Sequence, residues 1–350
     1  DGPLQLNNNF LMYENTGSAI DPNYEHVTDN FLHSLDLLSN VVPELVDIND
    51  DGYLDLFIGQ DYTNITTPTM GRIYQFENEG LSHPTWTLLD SAFLGNQIGL
   101  SLYPEFIDID SDEDLDLFVG DYNGRLSYFE NIGNSSTPSF LEQEYIQGID
   151  LSFFSAPEFC DLDNDGDQDL FIGSYSGGVD YFENVGSAEN FIFSESEFIL
   201  PNINEYGRTA FEFIDLDYDM DFDLIVGTDT DGLIIYWNVG NQESYNFIQD
   251  TCINVPYLGY NIKPTIGEIE NDNSKDLIIG ISTGGFLHCK FTLRLKGDVI
   301  VDNTIDIFDI IAMINYILSD SNDLDCDIDV NHDSSVDIYD IILIVNIVLG

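Results

Sequence analysis

Residues 157–173 read PEFCDLDNDGDQDLFIG, and this stretch decides the fold. A short apolar run leads into an acidic loop opened by Asp161, and a second apolar run leaves it and stops at Gly173. Short runs of β-branched and aromatic residues on both sides of an Asp/Asn/Gly turn read as two antiparallel strands. The unit returns as PELVDINDDGYLDLFIG from Pro43, PEFIDIDSDEDLDLFVG from Pro104, FEFIDLDYDMDFDLIVG from Phe211 and PTIGEIENDNSKDLIIG from Pro264. Its first acids stand at 47, 108, 161, 215 and 268, at intervals of 61, 53, 54 and 53 residues.

A Tyr- and Phe-rich segment follows each unit: GRIYQFENEG from Gly71, GRLSYFENIG from Gly124, GGVDYFENVG from Gly177, GLIIYWNVG from Gly232 and GGFLHCKF from Gly284. The chain also opens with a copy, FLMYENTG, from Phe10. From the first acid to the Asn of this segment the distance is 23 residues in the second, third and fourth copies and 31 in the first, so the extra residues lie between Gly59 and Gly71. Four short antiparallel strands recurring about every 50 residues describe a propeller blade. A β-solenoid, the alternative, has shorter repeats. The expected fold class is therefore an all-β propeller. Five innermost strands predict five blades, and the sixth Tyr-rich strand leaves six or seven open. The last blade lacks an obvious fourth strand, which residues near His26–Leu35 are expected to supply. That leaves Phe10–Asn15 as a surplus strand, able to cover an edge or to pair with another molecule.

Composition narrows the function. Asp and Glu number 65 against 8 Lys and Arg, a formal net charge of −57. Nucleic acid and anionic membranes would repel such a chain. Apolar residues make up 43%, interleaved with the acids, so the acidity does not signal disorder. No apolar run reaches transmembrane length. The chain opens at Asp1, without Met or an export signal, and is expected to be a secreted, mature form. Cys160, Cys252, Cys289 and Cys326 show no CxxC spacing; Cys160 and Cys289 read as buried thiols inside strands. His26, His33, His83, His288 and His332 share no motif, and there is no GxSxG, P-loop or HExxH, so no enzyme is expected.

The acidic loops read as metal sites. In Asp161-Leu-Asp-Asn-Asp-Gly-Asp-Gln-Asp169, acids at positions 1, 3 and 5 converge as the loop turns, Gly166 permits the tight bend, and a backbone carbonyl at position 7 with Asp169 at position 9 completes an oxygen cage. Hard oxygen ligands in a flexible loop suit Ca2+. The ligand sets are Asp47, Asn49, Asp51 and Asp55; Asp108, Asp110, Asp112 and Asp116; Asp161, Asp163, Asp165 and Asp169; Asp215, Asp217, Asp219 and Asp223. The fifth set, Glu268, Glu270, Asp272 and Asp276, departs from the pattern because Glu is longer than Asp. Glu113 and Met220 replace the position-6 glycine, which predicts strain there.

The repeated D-x-D-x-D-G-x-x-D-L-F-x-G pattern resembles the FG-GAP/VCBS family of β-propellers over residues 1–295. The resemblance implies calcium in these loops and an extracellular or cell-surface setting. From Gly297 the period becomes helical: Ile307, Ile310, Ile311, Ile314, Ile317 and Leu318 share one face, and Ile338, Ile341, Ile342, Val345, Val348 and Leu349 another. Residues 296–350 resemble a type I dockerin, two EF-hand-like calcium loops each followed by a helix. By that resemblance the ligands are Asp298, Asp302, Asp306 and Asp309, then Asp329, Asn331, Asp333, Asp337 and Asp340. Ile300 stands where a ligand is expected in the first loop. Partner recognition would fall on Ile307/Phe308 and Ile338/Tyr339, apolar here. The functional expectation is a secreted, non-catalytic, calcium-binding structural or adhesive protein that associates with itself, as an oligomer or polymer, or with a cohesin-like or surface protein. The alternative is a lectin-like module that stacks glycans on Tyr62, Tyr122 and Tyr175.

Overall fold

The computed structural model describes residues 12–15, 24–28, 40–60, 71–80, 86–95, 99–143, 146, 149, 151, 153–175, 177–198, 200–201, 207–217, 219–242, 244–250, 259–270, 275–282, 285–291, 297, 299–300, 305–318, 329–330 and 335–349. Two N-terminal strands, β1 (Met12–Asn15) and β2 (Tyr24–Thr28), form a pair of their own. The first blade is β3 (Val41–Val46), β4 (Asp55–Gln60), β5 (Arg72–Asn78) and β6 (Trp86–Phe93). The second is β7 (Tyr103–Ile107), β8 (Asp116–Gly120), β9 (Leu126–Asn131) and β10 (Phe140–Glu142). The third is β11 (Ala156–Cys160), β12 (Asp169–Gly173), β13 (Val179–Asn184) and β14 (Phe193–Ser196). The fourth is β15 (Thr209–Ile214), β16 (Asp223–Thr228), β17 (Gly232–Asn238) and β18 (Phe247–Gln249). The fifth has three strands, β19 (Lys263–Gly267), β20 (Lys275–Gly280) and β21 (Phe286–Phe291). All pairs are antiparallel, and the order within each blade follows the chain.

The five innermost strands β3, β7, β11, β15 and β19 neighbour one another in a closed ring, so the propeller has five blades. The first and last blades are stitched by Asn40 N–H donating to the Ser282 carbonyl at 3.0 Å and Val41 N–H to the Ile281 carbonyl at 3.3 Å. Two repeated residues explain why the ring fits. The glycine at or next to the end of each second strand, at 59, 120, 173, 227 and 280, lies against a backbone carbonyl of the next blade: Leu102, Ser155, Thr209, Ile262 and, closing the ring, Val41. A methyl group at any of these glycines would collide with that oxygen. Two residues earlier, an aromatic or aliphatic side chain packs on the next blade's innermost strand. Phe57 meets Phe106 at 4.5 Å, Phe118 meets Phe159 at 4.6 Å and Phe171 meets Phe213 at 4.7 Å. Ile225 shares a cluster with Ile266, and Ile278 with Leu45. The propeller core is therefore five inter-blade clusters around a smaller one at the axis. Proline at 43, 104, 157 and 264 is tolerated because the innermost strand is an edge, where a missing N–H breaks no ladder.

The N-terminus matches expectation in part. The early Tyr-rich strand β1 lies against β21 of the three-stranded fifth blade, the edge-covering place open to it, and pairs with β2 in a sheet of their own. His26 lies in β2, whose partner is β1, and among the described residues no strand is hydrogen-bonded to β21 as a fourth strand of the fifth blade. Residues 29–35 lie outside the described residues. Cys160 is a buried free thiol; Cys252 and Cys326 lie outside the described residues, as does the side chain of Cys289.

At the C-terminus α1 (Ile307–Leu318) and α2 (Ile338–Leu349) pack on each other, with Met313 and Ile344 fully buried between them. Among the described residues, no helix is long and apolar enough to cross a membrane.

Candidate metal centres

Each acidic loop joins the first and second strands of a blade, so all five open at one end of the propeller. The loops are built by their own first aspartate. Asp161 Oδ1 accepts the Asp165 N–H at 3.0 Å and Oδ2 the Gly166 N–H at 3.1 Å, while Asp165 accepts the Asp167 N–H at 3.2 Å. Asp47 does the same for Asp51 and Gly52 at 3.1 and 2.8 Å, and Asp108 for Asp112 and Glu113, both at 3.2 Å. In the fourth loop Asp215 accepts the Met220 N–H at 3.1 Å. Position 6 takes a left-handed backbone in all four: φ is 86° at Gly52, 97° at Gly166, 71° at Glu113 and 78° at Met220. The two non-glycines therefore carry the conformational strain expected of them.

Three loops gather carboxylates tightly enough for one ion. Asp108, Asp110 and Asp112 each place an oxygen within 4.8 Å of the others, as do Asp161, Asp163 and Asp165, and Asp215, Asp217 and Asp223. Asn49 occupies the middle position of the first loop and accepts the Asp51 N–H at 3.1 Å. In the fifth, Asp272 lies outside the described residues, Glu268 is exposed and Glu270 is buried.

The position-9 aspartates have a second job. Asp55, Asp116, Asp169, Asp223 and Asp276 are all buried. Oδ1 of the first four accepts the backbone N–H of Asn78, Asn131, Asn184 and Asn238 at 2.9, 2.7, 2.8 and 2.8 Å, tying the acidic loop to the third strand. Tyr128 and Tyr181 donate their hydroxyls to Asp116 and Asp169 at 3.0 and 2.8 Å, and His288 Nε2 lies 2.8 Å from Asp276. Burial pushes Asp55, Asp116 and Asp169 up to about 7. The asparagines then latch the outer strand: Asn184 Oδ1 accepts from Gly186 and Ile192 at 3.1 and 2.9 Å, and Asn131 Oδ1 from Gly133 and Ser139 at 3.0 and 2.9 Å.

Sequence reasoning missed one set of acids. At position 7, where only a backbone carbonyl was assigned, Asp114, Asp167 and Asp221 carry Oδ1 atoms that are buried and without a hydrogen-bond partner. Desolvation first, then the neighbouring aspartates, raises them to about 6, 6 and 7. The signal was present, since Asp recurs at this position in three consecutive loops. Asp110 and Asp215 also hold orphaned Oδ1 atoms. Buried oxygens that lack a donor and converge with like-charged neighbours fit a hard cation, and the donor set is all oxygen.

In the C-terminal unit Asp298, Asp302, Asn331 and Asp333 lie outside the described residues. The rest form two matching hydrogen-bond sets. Asp309 accepts from Ile300 and Asp306 at 3.0 and 2.8 Å, and Asp306 from Phe308 at 2.7 Å. Asp340 accepts from Val330 and Asp337 at 2.8 and 2.7 Å, and Asp337 from Tyr339 at 2.7 Å. Asp306 and Asp337 thus cap α1 and α2 in a reciprocal box. Asp329 is buried at the start of the second loop. Ile307, Phe308, Ile338 and Tyr339 are 60–63% exposed, matching one another across the two helices.

Residues 161–226, from the third acidic loop into β16, match the FG-GAP-like repeat family. No curated protein matches the chain.

Proposed function

We propose that this chain is a secreted, non-catalytic calcium-binding protein whose ions stiffen the propeller and whose C-terminal helix pair docks a protein partner. The observation that carries the reading is the recurrence, in three blades, of three carboxylate oxygens within 4.8 Å of one another. Ca2+ would be held by Asp108, Asp110 and Asp112, by Asp161, Asp163 and Asp165, and by Asp215, Asp217 and Asp223. Asp114, Asp167 and Asp221 stand beside them, and the first loop supplies Asp47, Asn49 and Asp51. When bound, the ion supplies the positive charge that close carboxylates lack. The residues themselves shape the loop and transmit its order to the third strand through the position-9 aspartates.

The C-terminal unit is read as dockerin-like, with two calcium loops. Its duplicated capping network and its twin exposed pairs, Ile307/Phe308 and Ile338/Tyr339, support a docking role toward a second copy or a cohesin-like surface protein. Because β1 lies against its own fifth blade, we take this helix pair, rather than a donated N-terminal strand, as the assembly surface. The test is melting temperature and particle size in excess calcium and in chelator. Calcium should raise the first and control the second; a chain whose melting and size ignore chelator refutes the reading.

A second reading has its own observation. The turns opposite the acidic loops carry exposed aromatics: Tyr122, Phe153, Tyr175 and Tyr260 are 43%, 61%, 56% and 58% exposed. Tyr62 lies outside the described residues. Exposed rings beside polar loops suit glycan stacking, and a glycan array run in calcium with no hits removes this alternative.

A further inference from the structure

The repeat carries one more acid that the loops do not use. In four blades the innermost-strand residue after Pro43, Pro104, Pro157 or Phe211 is Glu: Glu44, Glu105, Glu158 and Glu212, with Thr265 after Pro264 in the fifth. Side chains alternate along a strand. These five therefore share one level of the innermost strands and face the propeller axis. Glu44, Glu105 and Glu158 are 6%, 6% and 5% exposed, and Thr265 is fully buried. On the side of the aromatic turns the axis is closed by a buried cluster of Val42, Tyr103, Phe154, Ala156 and Ala210.

One cation of the protein's own enters this level. Lys263 Nζ lies 3.2 Å from Glu158, 3.4 Å from Glu212 and 3.9 Å from Glu44, and donates to the Phe211 carbonyl at 2.9 Å. It thus sits toward the third and fourth blades. The side of the first two blades is less well compensated. Glu44 Oε2 is buried without a hydrogen-bond partner and has Lys263 no nearer than 3.9 Å, and Glu105 Oε2 is buried without a hydrogen-bond partner and, among the described residues, without an ion pair. Thr265 Oγ1 stands beside Glu44, accepting the Leu45 N–H at 3.3 Å. Four carboxylates against one ammonium, largely withdrawn from water, is a costly arrangement unless further positive charge is present.

We propose that the propeller axis binds one metal cation of the hard, oxygen-seeking class, held by Glu105 and Glu44 while Lys263 serves chiefly Glu158 and Glu212. Protons on Glu44 and Glu105 are the competing neutraliser, and metal content separates the two. Burial raises all four glutamates, Glu212 to about 8, which states how strongly this level demands positive charge. The site is distinct from the acidic loops and does not depend on them. The ring is narrow, with the Glu44, Glu158 and Glu212 side chains 9%, 7% and 14% exposed, so its ion exchanges slowly while the ring is folded.

The test is metal content by elemental mass spectrometry, covering Na, K, Mg, Ca and Mn. In the first arm the chain is chelated with EGTA, desalted into ammonium acetate and checked for folding by circular dichroism. The expected result is about one equivalent retained by the folded chain and released on unfolding in guanidinium with EGTA. The second arm covers a chain that unfolds when chelated: calcium-saturated wild type is compared with Glu44→Gln/Glu105→Gln, which keeps side-chain volume. That variant should hold one equivalent less. A folded, chelated wild type with no retained metal overturns the proposal, as does equal content in wild type and variant; protons then neutralise the axis. Loss of loop calcium alone leaves the retained equivalent in place, so the two readings fail separately.

Discussion

Replacing Asp163 with alanine should stabilise the metal-free protein and destabilise the calcium-loaded one. Asp163 is exposed and, among the described residues, accepts no hydrogen bond, so its carboxylate does nothing for the empty loop except repel. Asp161, Asp163 and Asp165 place oxygens within 4.8 Å of one another. Each pair at that separation repels by about 0.9 kcal/mol in the dielectric of bulk water. Removing Asp163 deletes two of the three pairs, and since the unfolded chain retains part of the repulsion, the net gain is about 1 kcal/mol. With calcium at a hundredfold excess over Kd, a filled loop contributes about 2.7 kcal/mol, which a crippled loop forfeits. The balance then turns to a loss of roughly 1–2 kcal/mol. Differential scanning calorimetry of wild type and Asp163→Ala, with excess calcium and in metal-free buffer, reads both signs. Asp161→Ala is the contrast: Asp161 also receives two loop N–H groups, so its loss should destabilise under both conditions. A shift of the same sign for Asp163→Ala in both buffers would refute the reasoning.

Three further outcomes are expected. Gly173→Ala drives a methyl into the Thr209 carbonyl of the next blade and should cost about 3 kcal/mol in urea unfolding, whereas Gly178→Ala, with open space at the same atom, should be neutral. Met220→Gly relieves a left-handed backbone at φ 78° and should stabilise by about 1 kcal/mol, less the entropy glycine brings to the unfolded chain; an unchanged or lower midpoint would contradict it. Acidity should help the metal-free chain. Asp55, Asp116 and Asp169 stand at about 7 when folded, above their unfolded value near 4, so the folded state takes up protons first. Stability is therefore gained as pH falls from about 8 through 7 and is fully present below about 4. The urea midpoint of metal-free protein should be higher at pH 5.5 than at pH 8, and Asp116→Asn should flatten that slope.

The propeller was legible because its information is local and repeated. Each blade restates a strand, an acidic turn and a strand in consecutive residues, and Asp161 with Gly166 specifies that turn without help from the rest of the chain. The position-9 aspartates were half legible. Their oxygen chemistry follows from spacing, but the N–H they hold at Asn131 or Asn184 lies 15 residues away on another strand. Asp114, Asp167 and Asp221 escaped notice because side-chain burial is not a property of a repeat pattern.

What the amino-acid order settled alone was every feature made within one blade: strand alternation, loop curvature and the gathering of acids. What the tertiary structure decided was everything made between blades. The number five comes from Gly280 meeting Val41, contacts 239 residues apart that no local window contains. The placement of β1 beside β21 and the convergence of Glu44, Glu105, Glu158 and Glu212 on Lys263 have the same origin. The physical reason is that closing a ring brings equivalent residues of distant repeats to one axis. There, charges that are harmless on separate strands must share a single buried space.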